Sequence, residues 1–219
     1  PAAVARPRYG RESLKAGILH FGVGNFHRAH QVVYLDDLFN LGLGHDWALV
    51  GAGVLEGEKA GRDKLAKQDW LTTVVEQDEG HMSARVTGAM VDFVTPADSA
   101  AIVESLADPS IKIVSLTITE GGYFIDPASG HFNPTHPDIV ADSKNIAAPR
   151  TVFGIILAGL MRRRGDGIVP FTVMSCDNIP HNGRVTADGV VGLARLVDED
   201  LAGWVSDNVA FPNSMVDRI

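Results

Sequence analysis

Two glycines at alternate positions, Gly22 and Gly24, run directly into Phe26, His27 and Arg28 in the stretch HFGVGNFHRAHQ. This sets bare backbone next to positive charge. Gly22 permits a tight turn, and Gly24 removes a side chain where main-chain N–H groups at the positive end of a following helix can meet an anion. Arg28 could pair with that anion, or it could be an ordinary solvated or ion-paired side chain. In dinucleotide sites the anion served by such a turn is a diphosphate. The full pattern asks for a third glycine three positions after Gly24, where this chain carries His27. A plain strand-to-helix turn is the competing account.

Acids occupy a second position of chemical interest. Glu56 and Glu58 follow the apolar run WALVGAGV. A nicotinamide dinucleotide site uses an acid there to accept hydrogen bonds from the ribose hydroxyls, and its charge disfavours a 2′-phosphate, which points to NAD rather than NADP. One of the two glutamates could instead open the next helix and complement its dipole. Their separation from Gly24 exceeds the about 20 residues of the simplest unit, an excess that a longer first helix and the loop LGLGHD would absorb. Two further apolar runs end in polar clusters: Thr117, Thr119 and Glu120 in TITEGGY, and Cys176, Asp177 and Asn178 in SCDNIPHNG. Asn178 could donate its amide N–H to a developing alkoxide, and Glu120 could move a proton, although each could also cap a turn. Cys176 reads as a small buried hydrophobe rather than a nucleophile. No Cys, His and Asp set has zinc spacing, so the expected site holds no metal.

These residues need elements to position them. The runs ILHFGVG, WALVGAGV, IKIVSLTIT and FTVMSC are short, apolar and bounded by turn signals, as buried parallel strands are. Between them lie helical patterns. Ala29, Val32, Val33, Leu35, Leu38 and Phe39 form one stripe, predicting a single helix that ends near Gly42. Further helices are expected over EKAGRDKLAKQD, over PADSAAIVESLA with Pro96 at an early helical position, over TVFGIILAGLMRRR, and over VVGLARLVDEDLAGWV. WLTTVVEQ and ARVTGAMVDFV, flanking DEGHM, predict an inserted hairpin, and YFIDPASGHFNPTHPDI predicts a loop. Alternating strands and helices imply an α/β fold, a doubly wound and mostly parallel sheet.

Composition narrows the function. The chain has 219 residues, and 45% of them are hydrophobic, enough for a substantial core. Its formal net charge of −8 argues against a phosphate-backbone surface, so nucleic acid is not an expected partner. A single cysteine precludes an internal disulfide and fits a reducing compartment. No signal-like or membrane-spanning run is visible, and cytoplasm is the expected location. The chain starts at Pro1 rather than Met, which weakens inference from the missing leader.

Four blocks in order, HFGVGNFHRAHQ, VSLTITEGGY, FTVMSCDNIPHNG and FPNSMVDRI, resemble the mannitol dehydrogenase family, the zinc-independent polyol-specific long-chain dehydrogenases. Their wording is nearer to the family's mannitol 2-dehydrogenases than to its fructuronate reductases, with arabinitol and sorbitol dehydrogenases as further alternatives. The resemblance implies that residues 1–219 form a Rossmann-type NAD-binding domain, the N-terminal part of an enzyme that moves hydride between a sugar alcohol and NAD, such as D-mannitol to D-fructose. It implies Gly22 and Gly24 at the diphosphate with Phe26 and Arg28 nearby, and Glu56 or Glu58 at the ribose. It also implies Glu120 and Val216 around the nicotinamide, and Asn178 stabilising the alkoxide. The family's general base is a lysine on a helical substrate domain outside these residues; none of Lys59, Lys64, Lys67, Lys112 and Lys144 matches it. The isolated chain is therefore expected to bind coenzyme and turn over little. A small polyol or keto-sugar is the implied substrate, and a monomer is the implied assembly. A non-catalytic dinucleotide-binding module is the rival from another class.

Overall fold

The structure, a computed structural model, describes residues 4–215. Its centre is a five-stranded sheet in which every pairing is parallel. The strands in chain order are β1 (Ala16–Phe21), β2 (Ala48–Ala52), β5 (Met90–Phe93), β6 (Ile113–Leu116) and β7 (Thr172–Ser175), and across the sheet they run β5-β2-β1-β6-β7. The chain thus winds outward from β1 in one direction, then returns and winds outward in the other. The change of direction lies between β1 and β6, where an open α/β sheet leaves a crevice at the carboxyl ends of its strands.

Helices lie on both faces, and the central strands β1 and β2 are buried on both sides from Gly17 onward. Leu19 and Phe21 of β1 join one core, filled by α4 (Ser99–Ala107), α5 (Pro137–Lys144), α6 (Val152–Asp166), α7 (Asn182–Val197) and α8 (Glu199–Asn208). Ile18 joins a smaller core on the other face, with Val32 and Phe39 of α2 (Gln31–Asn40) and Leu65 of α3 (Lys59–Lys67). The alternation of side chains along β1 produces this division. The predicted hairpin is present as β3 (Thr72–Asp78) paired antiparallel with β4 (His81–Thr87), with Gly80 at φ +78° in its turn, but the end of its expected second arm, MVDF, forms β5 of the parallel sheet instead. No helix among the described residues is long and apolar enough to cross a membrane.

Four further expectations are corrected. The first helix is two: α1 (Asn25–Ala29) stops at His30, whose φ −122° and ψ −77° are not helical, and α2 then begins. Its stripe includes the buried Asp36, and Ala29 is exposed. The long C-terminal helix is also two, because Asp198 leaves helical geometry and its carboxylate caps α8 by accepting from the Leu201 N–H at 2.8 Å. Pro96 lies before α4, whose cap is Asp98, accepting from the Ala101 N–H at 3.0 Å. The segment expected as loop ends in α5, with Pro137 in its first turn, where a missing N–H leaves no helical bond unmade.

Candidate functional site at the carboxyl ends of the strands

The turn after β1 is built around Gly22. Its φ of +91° favours glycine, and a Cβ there would collide with the Thr117 carbonyl oxygen. A relay of side chains holds the turn. His20 Nδ1 lies 2.8 Å from Ser115 Oγ and Nε2 lies 3.0 Å from Thr117 Oγ1, which in turn donates to the Gly22 carbonyl at 2.7 Å. An Nε2–H tautomer of His20 satisfies both contacts. His20 stacks on His27 of α1 with ring centroids 3.6 Å apart. Burial holds both imidazoles below the ordinary histidine range, His27 at about 4. Neither His20 nor the relay stood out in the sequence, and the only signal was a polar residue inside the apolar run ILHF.

Gly24 caps α1 in extended geometry, and its own N–H goes to the Gly22 carbonyl at 2.7 Å. A Cβ on Gly24 would meet nothing closer than that carbonyl oxygen at 3.8 Å, so the space beside it is open. Arg28 folds back over this start, donating from Nε to the Gly24 carbonyl at 3.2 Å and from its terminal nitrogen to Asn25 Oδ1 at 2.6 Å.

Three adjoining clefts lie along this end of the sheet. The first, about 720 Å³, is walled by Gly22, Gly53, Glu58 and Thr117–Thr119, and its cation is Arg150 rather than Arg28. Glu58 lines it with its carboxylate against Gly53, accepting from the Leu55 N–H at 2.8 Å. Glu56 is exposed and does not line it. The second cleft, about 370 Å³, shares Thr117 with the first and takes in Phe26, His27 and Cys176. Phe26 is therefore not on the same wall as the glycine turn. Burial pushes the Cys176 thiol up to about 11, which leaves it a poor nucleophile. The third, about 460 Å³, shares Thr119 and Gly121 with the first and brings Glu120 together with Asp177 and Asn178. No group of three His, Cys, Asp or Glu side chains among the described residues is placed to hold a metal ion.

The last described segment is tied to β7 by Asn182, a buried side chain that the sequence reading passed over. Its Nδ2 lies 3.0 Å from the Ser214 carbonyl and 3.1 Å from the Asp177 carbonyl, and its Oδ1 accepts from the Ser214 N–H at 2.9 Å. Asn213 Oδ1 accepts from the Gly183 N–H at 3.0 Å, at the start of α7. Two sequence blocks about thirty positions apart are thus one structural unit. Val216 lies outside the described residues.

An open-faced glycine turn, an acid on the wall beyond β2 and polar groups beyond β6 and β7 suit a dinucleotide lying across the strand ends. The family model for the mannitol dehydrogenase Rossmann domain matches residues 16–219. A mannitol 2-dehydrogenase from Cereibacter sphaeroides is 62% identical over 218 residues, which is 99% of this chain and 46% of that protein. A polyol:NADP oxidoreductase from Gluconobacter oxydans is 44% identical, covering all of this chain and 46% of that protein. The solved structure of Pseudomonas fluorescens mannitol 2-dehydrogenase in ternary complex with NAD and D-mannitol superposes with a TM-score of 0.96 at 47% identity, over 100% of this chain and 45% of that one. The chain spans about half the length of these relatives. From the glycine turn to the block that ends it, the chain belongs to the mannitol dehydrogenase family, as its Rossmann domain.

Proposed function

We propose that residues 1–219 are the coenzyme-binding domain of an NAD-dependent polyol dehydrogenase that interconverts a sugar alcohol and its keto-sugar, D-mannitol and D-fructose in the first instance. One observation carries the reading: polar groups stand in order across the strand ends, Glu58 after β2, Gly22 after β1, Thr117–Glu120 after β6 and Asn178 after β7. That order matches a dinucleotide laid across the crevice from ribose to nicotinamide.

In this reading Glu58, not Glu56, accepts the ribose hydroxyls, since it alone of the two lines the cleft. The Gly22 turn and the first amides of α1 hold the diphosphate, with open space at Gly24 and Arg28 close by. Phe26 borders the adjoining cleft, towards the substrate side. Glu120 and Val216 flank the nicotinamide, and Asn178 donates its amide N–H to the alkoxide oxygen as it forms. Bound NAD supplies the hydride acceptor for C2 of the alcohol. The family resemblance gives the base that takes the hydroxyl proton as a lysine of a helical substrate domain, and no lysine among the described residues lines the three clefts. A cytoplasmic monomer acting on small neutral polyols completes the reading.

Calorimetry with NAD and NADP tests it. The chain should prefer NAD, Glu58→Ala should reduce that preference by about tenfold, and Glu56→Ala should leave it intact. Absence of saturable binding with either coenzyme would overturn the assignment. Vigorous mannitol oxidation by the 219-residue chain alone would refute the placing of the base elsewhere.

A further inference from the structure

We propose that Asp177 is a positioning residue: its carboxylate clamps the turn that carries Glu120 to the end of β7, so that Glu120 and Asn178 face one cleft. The inference rests on the functional reading above. Asp177 Oδ2 accepts from the Ile118 N–H at 2.9 Å and from the Tyr123 hydroxyl at 2.6 Å, and Oδ1 accepts from the Thr119 N–H at 3.1 Å. Three donors from one short turn thus converge on a side chain some 58 positions away in sequence. Asp177 is followed at once by Asn178, so the clamp sets the distance between the two polar groups of the third cleft.

The turn needs holding. Thr119 adopts φ +62° and ψ 164°, and Phe124 adopts φ +52°, conformations that residues with a Cβ avoid and keep only when their surroundings over-determine them. β6 ends at Leu116, so the Ile118 and Thr119 amides have no place in its ladder, and the carboxylate takes them instead. Tyr123 completes the arrangement. Its ring is buried against Phe153 and its hydroxyl lies 2.6 Å from Ser175 Oγ. Burial first, and then the Asp177 carboxylate, raise its pKa, so the phenol stays protonated and remains a donor. Among the described residues no cation pairs with Asp177. Its charge is met by amide and hydroxyl dipoles alone. An amide in its place would turn an NH2 towards at least one donor.

The test uses two probes, NAD and ADP-ribose, which share the part held by Glu58 and Gly22 and differ by the nicotinamide end. By calorimetry, Asp177→Asn should weaken NAD about tenfold while changing ADP-ribose by less than about twofold. Tyr123→Phe, which keeps the buried ring and removes one donor, should shift NAD in the same direction by a smaller factor, and it serves if Asp177→Asn fails to fold. Equal losses for both probes would mean a merely structural role and overturn the inference, as would unchanged NAD affinity in both variants. A wild-type chain that binds neither probe would instead overturn the functional reading, and this inference with it.

Discussion

Two aspartates at opposite ends of the sheet use the same device for different ends. Asp36, in the middle of α2, accepts from the Tyr9 hydroxyl at 2.5 Å and from the Gly88 N–H at 2.9 Å, just before β5 begins. Asp177, just past the end of β7, likewise accepts from a tyrosine hydroxyl and from backbone N–H groups. The difference lies in charge and exposure. Asp36 is 1% exposed and also takes Arg85 of β4 at 2.9 Å, an arginine it shares with the exposed Asp37 at 2.5 Å, so a cation meets its charge and the hairpin is tied to α2. Asp177 is half-buried, meets only dipoles, and lines a cleft. A buried carboxylate that meets an arginine braces a fold; one held by dipoles at the mouth of a crevice sets the shape of a site.

The contrast can be broken or sharpened by experiment, beginning with the largest effect. Asp36→Ala should cost about 3–4 kcal/mol, because the Tyr9 hydroxyl, the buried Gly88 N–H and the Asn40 amide lose their acceptor together, while Arg85 keeps only Asp37. Urea unfolding measures this, and coenzyme affinity of the folded protein should not change. If Asp36→Ala were as mild as a surface substitution, the brace would not exist.

Acid should act next, through the His20–His27 stack that lies beneath the glycine turn. Burial holds His27 at about 4 in the folded chain, against the ordinary histidine value of 6.5. Between those values the unfolded chain binds more protons than the folded one, so acid favours unfolding. Stability should be complete above about pH 6.5 and fall as the pH drops towards 4, with His27 contributing about 3 kcal/mol at the lower end. His20 acts in the same direction. Unfolding free energies across this range give the slope, and a His27→Phe variant that retained the full slope would contradict the assignment.

Smaller effects separate the site from the brace. Asp177→Asn should cost about 1–2 kcal/mol of stability, below Asp36→Ala, since the amide keeps one oxygen to accept from its donors. Thr119→Gly should stabilise the chain by up to about 1 kcal/mol by relieving its left-handed backbone, a gain partly offset by the freer unfolded glycine. A loss of stability on that substitution would mean that the Thr119 side chain contributes more than its backbone costs.

Much of this architecture was legible. The four apolar runs became β1, β2, β6 and β7, and DEGHM became the hairpin turn, because buried parallel strands and tight turns are written in local composition. The breaks at His30 and Asp198 were missed for a common reason: an apolar stripe continued across them, and periodicity does not register a cap. Asp198 did carry a signal, an N-cap residue followed by acids suited to a first helical turn. The start of α5 was also visible in principle, as Pro137 after a residue able to cap, but it sat among so many turn formers that composition hid it. At the site, the glycine turn and the two polar clusters were readable, whereas the choice between Glu56 and Glu58 was not. Two positions along one short turn separate lining the cleft from facing water.

What the sequence alone determined is the set of parts: strands long enough to be buried, a turn that only glycine can make at position 22, and polar residues reserved for strand ends. Each follows from interactions between near neighbours, so each leaves a local trace. The tertiary structure alone decided which parts meet. Strand order β5-β2-β1-β6-β7 brings the ends of β6 and β7 side by side, and only then can Asp177 reach Ile118 and Thr119, or Asn182 reach Ser214. Such contacts depend on the path of the crossover connections and on the packing of both cores, and a hydrogen bond across dozens of residues has no period for a sequence to display.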